Sequence, residues 1–283
     1  MNDNPTRRIA LVGIDGCGKS SVLARLRELA PRDRGFGSMT CPDFHTTANA
    51  PLHRLSQQLK AFSDGCDEIG SLECKAIALY LQMTLFGPVE RFFVDTFAPD
   101  VLVCERHPLV ETLVYGPFYV LLADLDTDPR AREAQVRDVL DRHAPGTLDD
   151  ILAWYAGEAA RLGTDPDIWN LLGEVSTLVQ LEPDAAVPAF ARRCRTSLPD
   201  AVLWLDVPPE QAAARCAARV GGGTRESHET PELLAELRKG YQRAQQLLPA
   251  AFPDLRFHRI DTADGVDLEE SVRRCVEEGR LFA

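Results

Sequence analysis

Gly13-Ile14-Asp15-Gly16-Cys17-Gly18-Lys19-Ser20 follows the apolar run Ile9-Ala10-Leu11-Val12 and precedes Ser21-Val22-Leu23-Ala24-Arg25-Leu26-Arg27-Glu28-Leu29. The first run reads as a short buried strand, and the last carries apolar residues at helical spacing. Strand, glycine loop and helix in this order fit the phosphate-binding pattern GxxxxGKS. Gly13, Gly16 and Gly18 permit backbone conformations that side-chained residues resist, so successive N–H groups can turn inward around phosphate oxygens. The pattern sets Lys19 beside the β- and γ-phosphates of a nucleotide and offers the Ser20 hydroxyl to Mg²⁺, with the positive end of the helix adding favourable field. Asp15, Gly16, Cys17 and Ser21 complete the expected nucleotide-binding stretch.

Composition narrows the class. With 283 residues and 45% hydrophobic content the chain can bury one large core, or a nucleotide-binding core with an added helical lobe. A formal charge of −12 argues against a general binder of nucleic acid or anionic membrane, while leaving local basic clusters free to hold small anions. The eight cysteines form no CxxC pair and several sit in apolar runs, which predicts free thiols in a reducing cytoplasm. Cys17 has two readings: a thiol beside a helix start with a depressed pKa that reacts with oxidants, or a tolerated small residue. No apolar stretch precedes the first strand to act as a signal peptide. Leu113 to Ala123, the longest strongly apolar stretch, is interrupted by Gly116 and Pro117 and is too short to span a bilayer, which predicts a soluble protein.

Beyond the first helix, Ser38-Met39-Thr40-Cys41 reads as a weak strand ending at Pro42-Asp43. Ligands of open α/β sheets bind outside the carboxyl ends of strands, so Asp43 is a candidate to contact or deprotonate a phosphoryl acceptor; it equally suits an Asx-turn or a helix cap. Helical patterns cover Pro51 to Phe62 and Leu72 to Phe97, the second kinked or split at Gly87-Pro88. Val101-Leu102-Val103-Cys104 is a buried parallel strand ending in Glu105-Arg106-His107-Pro108. A carboxylate at such a tip can hold Mg²⁺ beside a phosphate loop, and Arg106 can aim a forked cation at phosphoryl oxygens.

The stretch 125–195 reads as an inserted helical lobe, with helices over Ala131 to Arg142, Leu148 to Leu162 and Asp184 to Arg195; a lid, a substrate wall and a dimer surface are its open readings. Ala201-Val202-Leu203-Trp204-Leu205-Asp206 is a further buried strand whose terminal carboxylate rivals Glu105 for the metal. Arg215 and Arg219 then precede Gly221-Gly222-Gly223 and Thr224-Arg225. Glycines flanked by arginines over about 215–230 suit a lid that brings cations to a transferring phosphoryl group, or a surface loop with solvated charges. Tyr241, in the helix from Pro231 to Leu248, falls at a core position. A last strand over Leu255 to Ile260 leads to Thr262 and Ala263, whose backbone is expected against adenine by fold analogy.

GIDGCGKSS, VLVCERH, LPDAVLWLDVPPEQAAARCAAR, LRKGYQ and RIDTADG, in this order, resemble the thymidylate kinase-like branch of the P-loop nucleotide and deoxynucleoside kinases. The resemblance covers roughly two thirds of the chain and leaves 125–195 unmatched. It implies an α/β P-loop kinase fold with an open five-stranded parallel sheet, a single domain over 1–283, MgATP as donor, and transfer to a nucleoside, a nucleoside monophosphate or a related small molecule. It further implies Lys19 and Ser20 on ATP and Mg²⁺, Asp15 toward the acceptor sugar, Glu105 and Arg106 as the family's acid–arginine pair, and Arg219 and Arg225 as catalytic lid arginines, since Cys17 stands where some members carry a loop arginine. Homodimers are common among such kinases. Two rivals remain at this stage: a kinase of a non-nucleotide alcohol, and a nucleotide-dependent regulatory switch, the latter disfavoured because the guanine motif NKxD does not occur.

Overall fold

A computed structural model describes residues 5–47, 49–123, 128–218 and 230–283. In chain order the elements are β1 (Arg7–Val12), α1 (Lys19–Leu29), β2 (Phe36–Thr40), α2 (His53–Glu68), α3 (Leu72–Thr84), α4 (Phe86–Phe97), β3 (Val101–Glu105), α5 (Pro108–Ala123), α6 (Glu133–His143) and α7 (Thr147–Leu162). They continue with α8 (Leu171–Val179), α9 (Pro183–Cys194), β4 (Ala201–Asp206), α10 (Pro209–Ala217), α11 (Pro231–Ala251), β5 (Arg256–Asp261) and α12 (Leu268–Gly279). The chain divides into two compact units: 1–39, 93–114 and 198–283 form the first, and 40–92 with 115–197 the second.

The first unit is built on an open parallel sheet of five strands in the order β2-β3-β1-β4-β5, the class the sequence predicts. β1 lies centrally because Ile9, Ala10, Leu11 and Val12 are wholly apolar and can be covered on both faces. It pairs in parallel with β3, Ile9 opposite Val103, and with β4, Ile9 opposite Ala201. β3 and β4 are buried along their whole lengths, whereas the edge strand β5 buries only Ile260. Parallel pairing puts the ends of β1, β3 and β4 on one side of the sheet, so the loops after Val12, Glu105 and Asp206 open together. α1 buries Val22, Leu23 and Leu26, and α12 is started by Asp267, whose carboxylate accepts from the Glu270 N–H at 2.7 Å.

The second unit is helical. Phe62 of α2 meets Trp169 edge to face at 6.1 Å, and Tyr80 of α3 meets Phe190 of α9 at 6.3 Å. Trp169 is thus a packing residue, its indole N–H donating to Glu133 at 3.0 Å. The pattern over 72–97 does split, at Leu85, just before Gly87-Pro88. Two helices depart from the sequence pattern. α5 continues through Gly116 and Pro117, and α8 forms despite Gly173. In α5 the proline removes one backbone donor, but Gly116 leaves room for Val179 of α8, whose Cβ would lie 3.0 Å from an added methyl. No helix among the described residues is long and apolar enough to cross a membrane.

Close backbone approach in the second unit is testable. A Cβ at Gly87 would lie 2.2 Å from the Arg195 carbonyl oxygen and 2.3 Å from that of Cys194. Gly87→Ala should therefore lower unfolding stability by about 1–3 kcal/mol in chemical denaturation. Gly157→Ala, in α7 with nothing within 4 Å, should be neutral or stabilise by up to about 1 kcal/mol.

Candidate functional site

The loop from Gly13 to Gly18 leaves β1 and enters α1 through left-handed backbone: Gly16 has φ +80° and Gly18 φ +95°. A side chain at Gly16 would also place its Cβ 2.3 Å from the Ala212 carbonyl oxygen of α10, so the loop is seated tightly on that helix. Lys19, the first residue of α1, is buried and donates from Nζ to the carbonyls of Gly13 at 2.8 Å and Ile14 at 3.0 Å. Its ammonium also lies 3.7 Å from Asp15. The cation is therefore held inside the ring of the loop, at the start of a helix whose N–H groups face the same way.

Glu105, the last residue of β3, is brought next to the loop by the pairing of Leu11 with Glu105. The Ser20 hydroxyl donates to Glu105 Oε1 at 2.9 Å, and both residues line a cleft of about 690 Å³ with Asp15 to Val22, Arg215, Thr262, Val266, Leu268 and Ser271. A hydroxyl and a carboxylate side by side are hard oxygen donors of the kind Mg²⁺ takes while keeping several waters, so this pair fits that ion.

The remaining strand tip is committed elsewhere. Asp206 is buried and accepts from Arg238 Nε at 2.6 Å, from Arg238 Nη2 at 2.8 Å and from Arg259 Nε at 2.8 Å. Arg259 in turn stacks on Trp204, 5.6 Å from the ring centre. The two guanidinium groups occupy both carboxylate oxygens, which leaves Glu105 as the strand-tip acid paired with Ser20. Arg215, on α10, donates to the Thr262 carbonyl at 2.9 Å and to Asp264 at 2.8 Å. Thr262 lines the cleft and is fixed to the end of β4 by its N–H, 2.9 Å from the Asp206 carbonyl oxygen; Ala263 is not among the described lining residues.

Arg106 follows Glu105 with φ +63°, a left-handed conformation that costs an arginine about 1 kcal/mol. Its N–H donates to the Leu11 carbonyl at 2.9 Å, and its guanidinium bonds Asp15 through Nη2 and Glu111 through Nη1, the latter at 3.2 Å. Glu111, on α5, was not a candidate from its pattern; a lone acid within Pro108-Leu109-Val110-Glu111-Thr112-Leu113-Val114 is the signal that could have marked it. Burial pushes its carboxyl pKa up, opposed by the Arg106 charge and the Tyr241 hydrogen bond.

Of the two readings of Cys17, the structure supports the tolerated small residue. It is buried, and desolvation raises its pKa despite the nearby Lys19 charge, so the neutral thiol packs against the loop. All eight cysteines are free and buried. Asp43 belongs to the second unit, where its backbone carbonyl accepts from Thr46 and its carboxylate Oδ1 is buried without a hydrogen-bond partner among the described residues. It makes no side-chain cap on the short 3₁₀ turn it precedes. Arg219 and Arg225, with most of the expected lid, lie outside the described residues.

No protein-family model matches the sequence, and no curated protein does. Among solved structures the chain is similar to deoxyadenosine kinase from M. mycoides with bound dATP, at 14% identity over 96% of this chain and 99% of that one, TM-score 0.47. It is likewise similar to the same enzyme with products dCMP and dCDP, at 14% identity over 96% and 98%, TM-score 0.49. Thymidylate kinase from Candida albicans gives 13% identity over 98% and 93%, TM-score 0.48. Likeness at this level transfers no residue's role, and the site stands on the geometry described above.

His107 gives the site's surroundings a pH signature. It is buried, its Nδ1 accepts from the Leu109 N–H at 3.3 Å, and desolvation first, then the Arg8 charge, lowers its pKa to about 3. The unfolded chain binds a proton near the ordinary value of 6.5 and the folded one does not, so stability is full above 6.5 and falls as pH drops toward 3. His107→Asn keeps an acceptor for Leu109 and should flatten this limb, reducing the stability lost between pH 7 and pH 4 by about 3 kcal/mol in denaturant titrations.

Proposed function

We propose that this protein is an ATP-dependent kinase that transfers the γ-phosphate of MgATP to a nucleoside, a nucleoside monophosphate or a related small-molecule acceptor. The observation that supports this most is the Ser20–Glu105 pair at 2.9 Å, set beside Lys19 and the glycine loop in one cleft. In this reading the loop from Gly13 to Ser21 wraps the phosphates and Lys19 leaves the loop carbonyls for the β- and γ-oxygens. Bound Mg²⁺, held by Ser20 and through Glu105, would neutralise charge on the transferring group. Arg106 presents its forked cation to the phosphoryl oxygens, and Arg215 and Thr262 border the base. We assign Arg219 and Arg225 to the same phosphoryl group and Asp43 or Asp15 to orienting the acceptor on sequence grounds alone.

The reaction asks little covalent chemistry of the protein: in-line transfer is accelerated by positioning and by fixed charge. We read the whole chain as one kinase domain with the 125–195 helices inserted, working in the cytoplasm as a thymidylate kinase-like enzyme.

ATP turnover should be measured with a panel of nucleosides, nucleoside monophosphates and small alcohols. At least one acceptor should raise ADP release, and Lys19→Ala should lower that rate about a hundredfold or more. Glu105→Gln should weaken Mg²⁺ binding, with the half-maximal Mg²⁺ concentration for activity rising about tenfold. If no acceptor raises ADP release and Lys19→Ala changes nothing, the kinase reading fails; slow hydrolysis stimulated only by a protein partner would turn it toward a regulatory switch.

A further inference from the structure

At the turn between α2 and α3, two cysteines eight residues apart in sequence are brought together by one serine. The Ser71 N–H donates to the Cys66 carbonyl at 3.0 Å, and the Ser71 hydroxyl oxygen accepts from the Cys74 N–H at 3.3 Å, so a single residue holds both backbones. The two thiols are in hydrogen-bond contact, with Cys66 donating to Cys74. Both are buried, and both are free of disulfides. Cys74 Sγ in turn lies 3.7 Å from the Pro129 carbonyl oxygen, which closes over it from the 3₁₀ turn Pro129–Arg132.

The two sulfurs have unequal surroundings. Ser71 caps α3, which puts Cys74 in the first turn of that helix, where the orphan N–H groups favour negative charge. The hydrogen bond from Cys66 lowers the Cys74 pKa, burial opposes it, the Ser71 hydrogen bond lowers it further, and the charges of Glu73 and Arg132 pull in opposite directions. Burial instead pushes Cys66 well above the ordinary thiol value. Cys17, Cys194 and Cys275 are also raised by burial, the last two to about 12. The cover over Cys74 is thin: no residue of the 3₁₀ turn Pro129–Arg132 is buried, so parting that turn uncovers the sulfur without opening a core.

We propose that Cys66 and Cys74 are a redox-responsive pair in which Cys74 is the nucleophile, hydrogen peroxide the oxidant, and Cys66 the thiol that resolves the product to a disulfide across the α2–α3 turn. The Cys74 sulfur attacks one peroxide oxygen and the O–O bond breaks. Hydroxide leaves with the electron pair and takes up the Cys74 proton as water, and Cys74 becomes a sulfenic acid. The Cys66 sulfur then attacks the Cys74 sulfur, the S–O bond breaks, and the departing hydroxide takes the Cys66 proton as a second water. In sum, two thiols and one peroxide give one disulfide and two waters, with two electrons passing from sulfur to oxygen. The bond closes a loop over 67–73 and ties α2 to α3 within the second unit. The inference is independent of the kinase reading.

The experiment exposes the native full chain to hydrogen peroxide for timed intervals, alkylates the remaining thiols in denaturant, and maps tryptic peptides without reduction. Ala61–Lys75 is one tryptic peptide holding both cysteines and no other, so the disulfide is read as the loss of two hydrogens, reversed by dithiothreitol. It should form about tenfold faster than any other cysteine is oxidised. Cys66→Ser should stop the reaction at a Cys74 sulfenic acid captured by dimedone, while Cys74→Ser should leave Cys66 unmodified over the same interval. The map of the native chain needs no variant, so it decides the matter even where a substitution prevents folding. A peptide 61–75 that stays reduced, all eight cysteines oxidising at one common rate, or sulfenic acid captured on Cys66 in place of Cys74 would each overturn the proposal.

Discussion

Between Val12 and Lys19 the chain must reverse from a buried strand into a helix within a few residues while pressed against α10, and this constraint organises the first unit. Left-handed backbone at Gly16 and Gly18 makes the reversal possible, and the 2.3 Å approach of a would-be Cβ at Gly16 to Ala212 leaves no room for another residue. The carbonyls of Gly13 and Ile14 then converge on Lys19. β3 beside β1 supplies Glu105, and β4 on the other side supplies the carbonyl that anchors Thr262. The cleft is therefore a product of sheet order as much as of the loop.

Charge in and around this cleft is arranged in pairs with separate duties. Asp206, Arg238 and Arg259 satisfy one another and tie β4, α11 and β5 together; a buried carboxylate with two guanidinium partners is costly to break. Ser20 and Glu105 form a pair of oxygens open to the cleft. Asp15 and Glu111 divide Arg106 between them, one acid at the wall and one behind it. Similar carboxylates at similar strand ends thus differ in role because their cationic neighbours differ.

The loop, α1, β1, β3 and β4 were legible because they obey local rules: glycine spacing, a helical period, and unbroken apolar runs that only doubly covered strands need. Glu105 beside Ser20 was legible for the same reason, once β3 was taken as a neighbour of β1. What local pattern could not carry was set by distant partners. Asp206 reads as a metal ligand until Arg238 and Arg259 arrive from elements more than thirty residues downstream. α5 reads as broken at Gly116-Pro117 until Val179 fills the space beside the glycine. Phe62 with Trp169 and Tyr80 with Phe190 join segments about a hundred residues apart, a pairing invisible to any window of sequence. Cys17 carries two readings in the sequence, a reactive thiol and a tolerated small residue, and the burial that raises its pKa favours the second.

The buried thiols make the protein its own opening gauge. Cys17, Cys104, Cys216 and Cys275 lie in the first unit and Cys41, Cys66, Cys74 and Cys194 in the second, four in each. A reagent that needs contact with sulfur modifies only molecules in which the surrounding layer has parted. Peptide mapping after timed alkylation therefore clocks each half of the chain separately, without an introduced label, and nucleotide added beforehand would slow the clock in whichever half it braces.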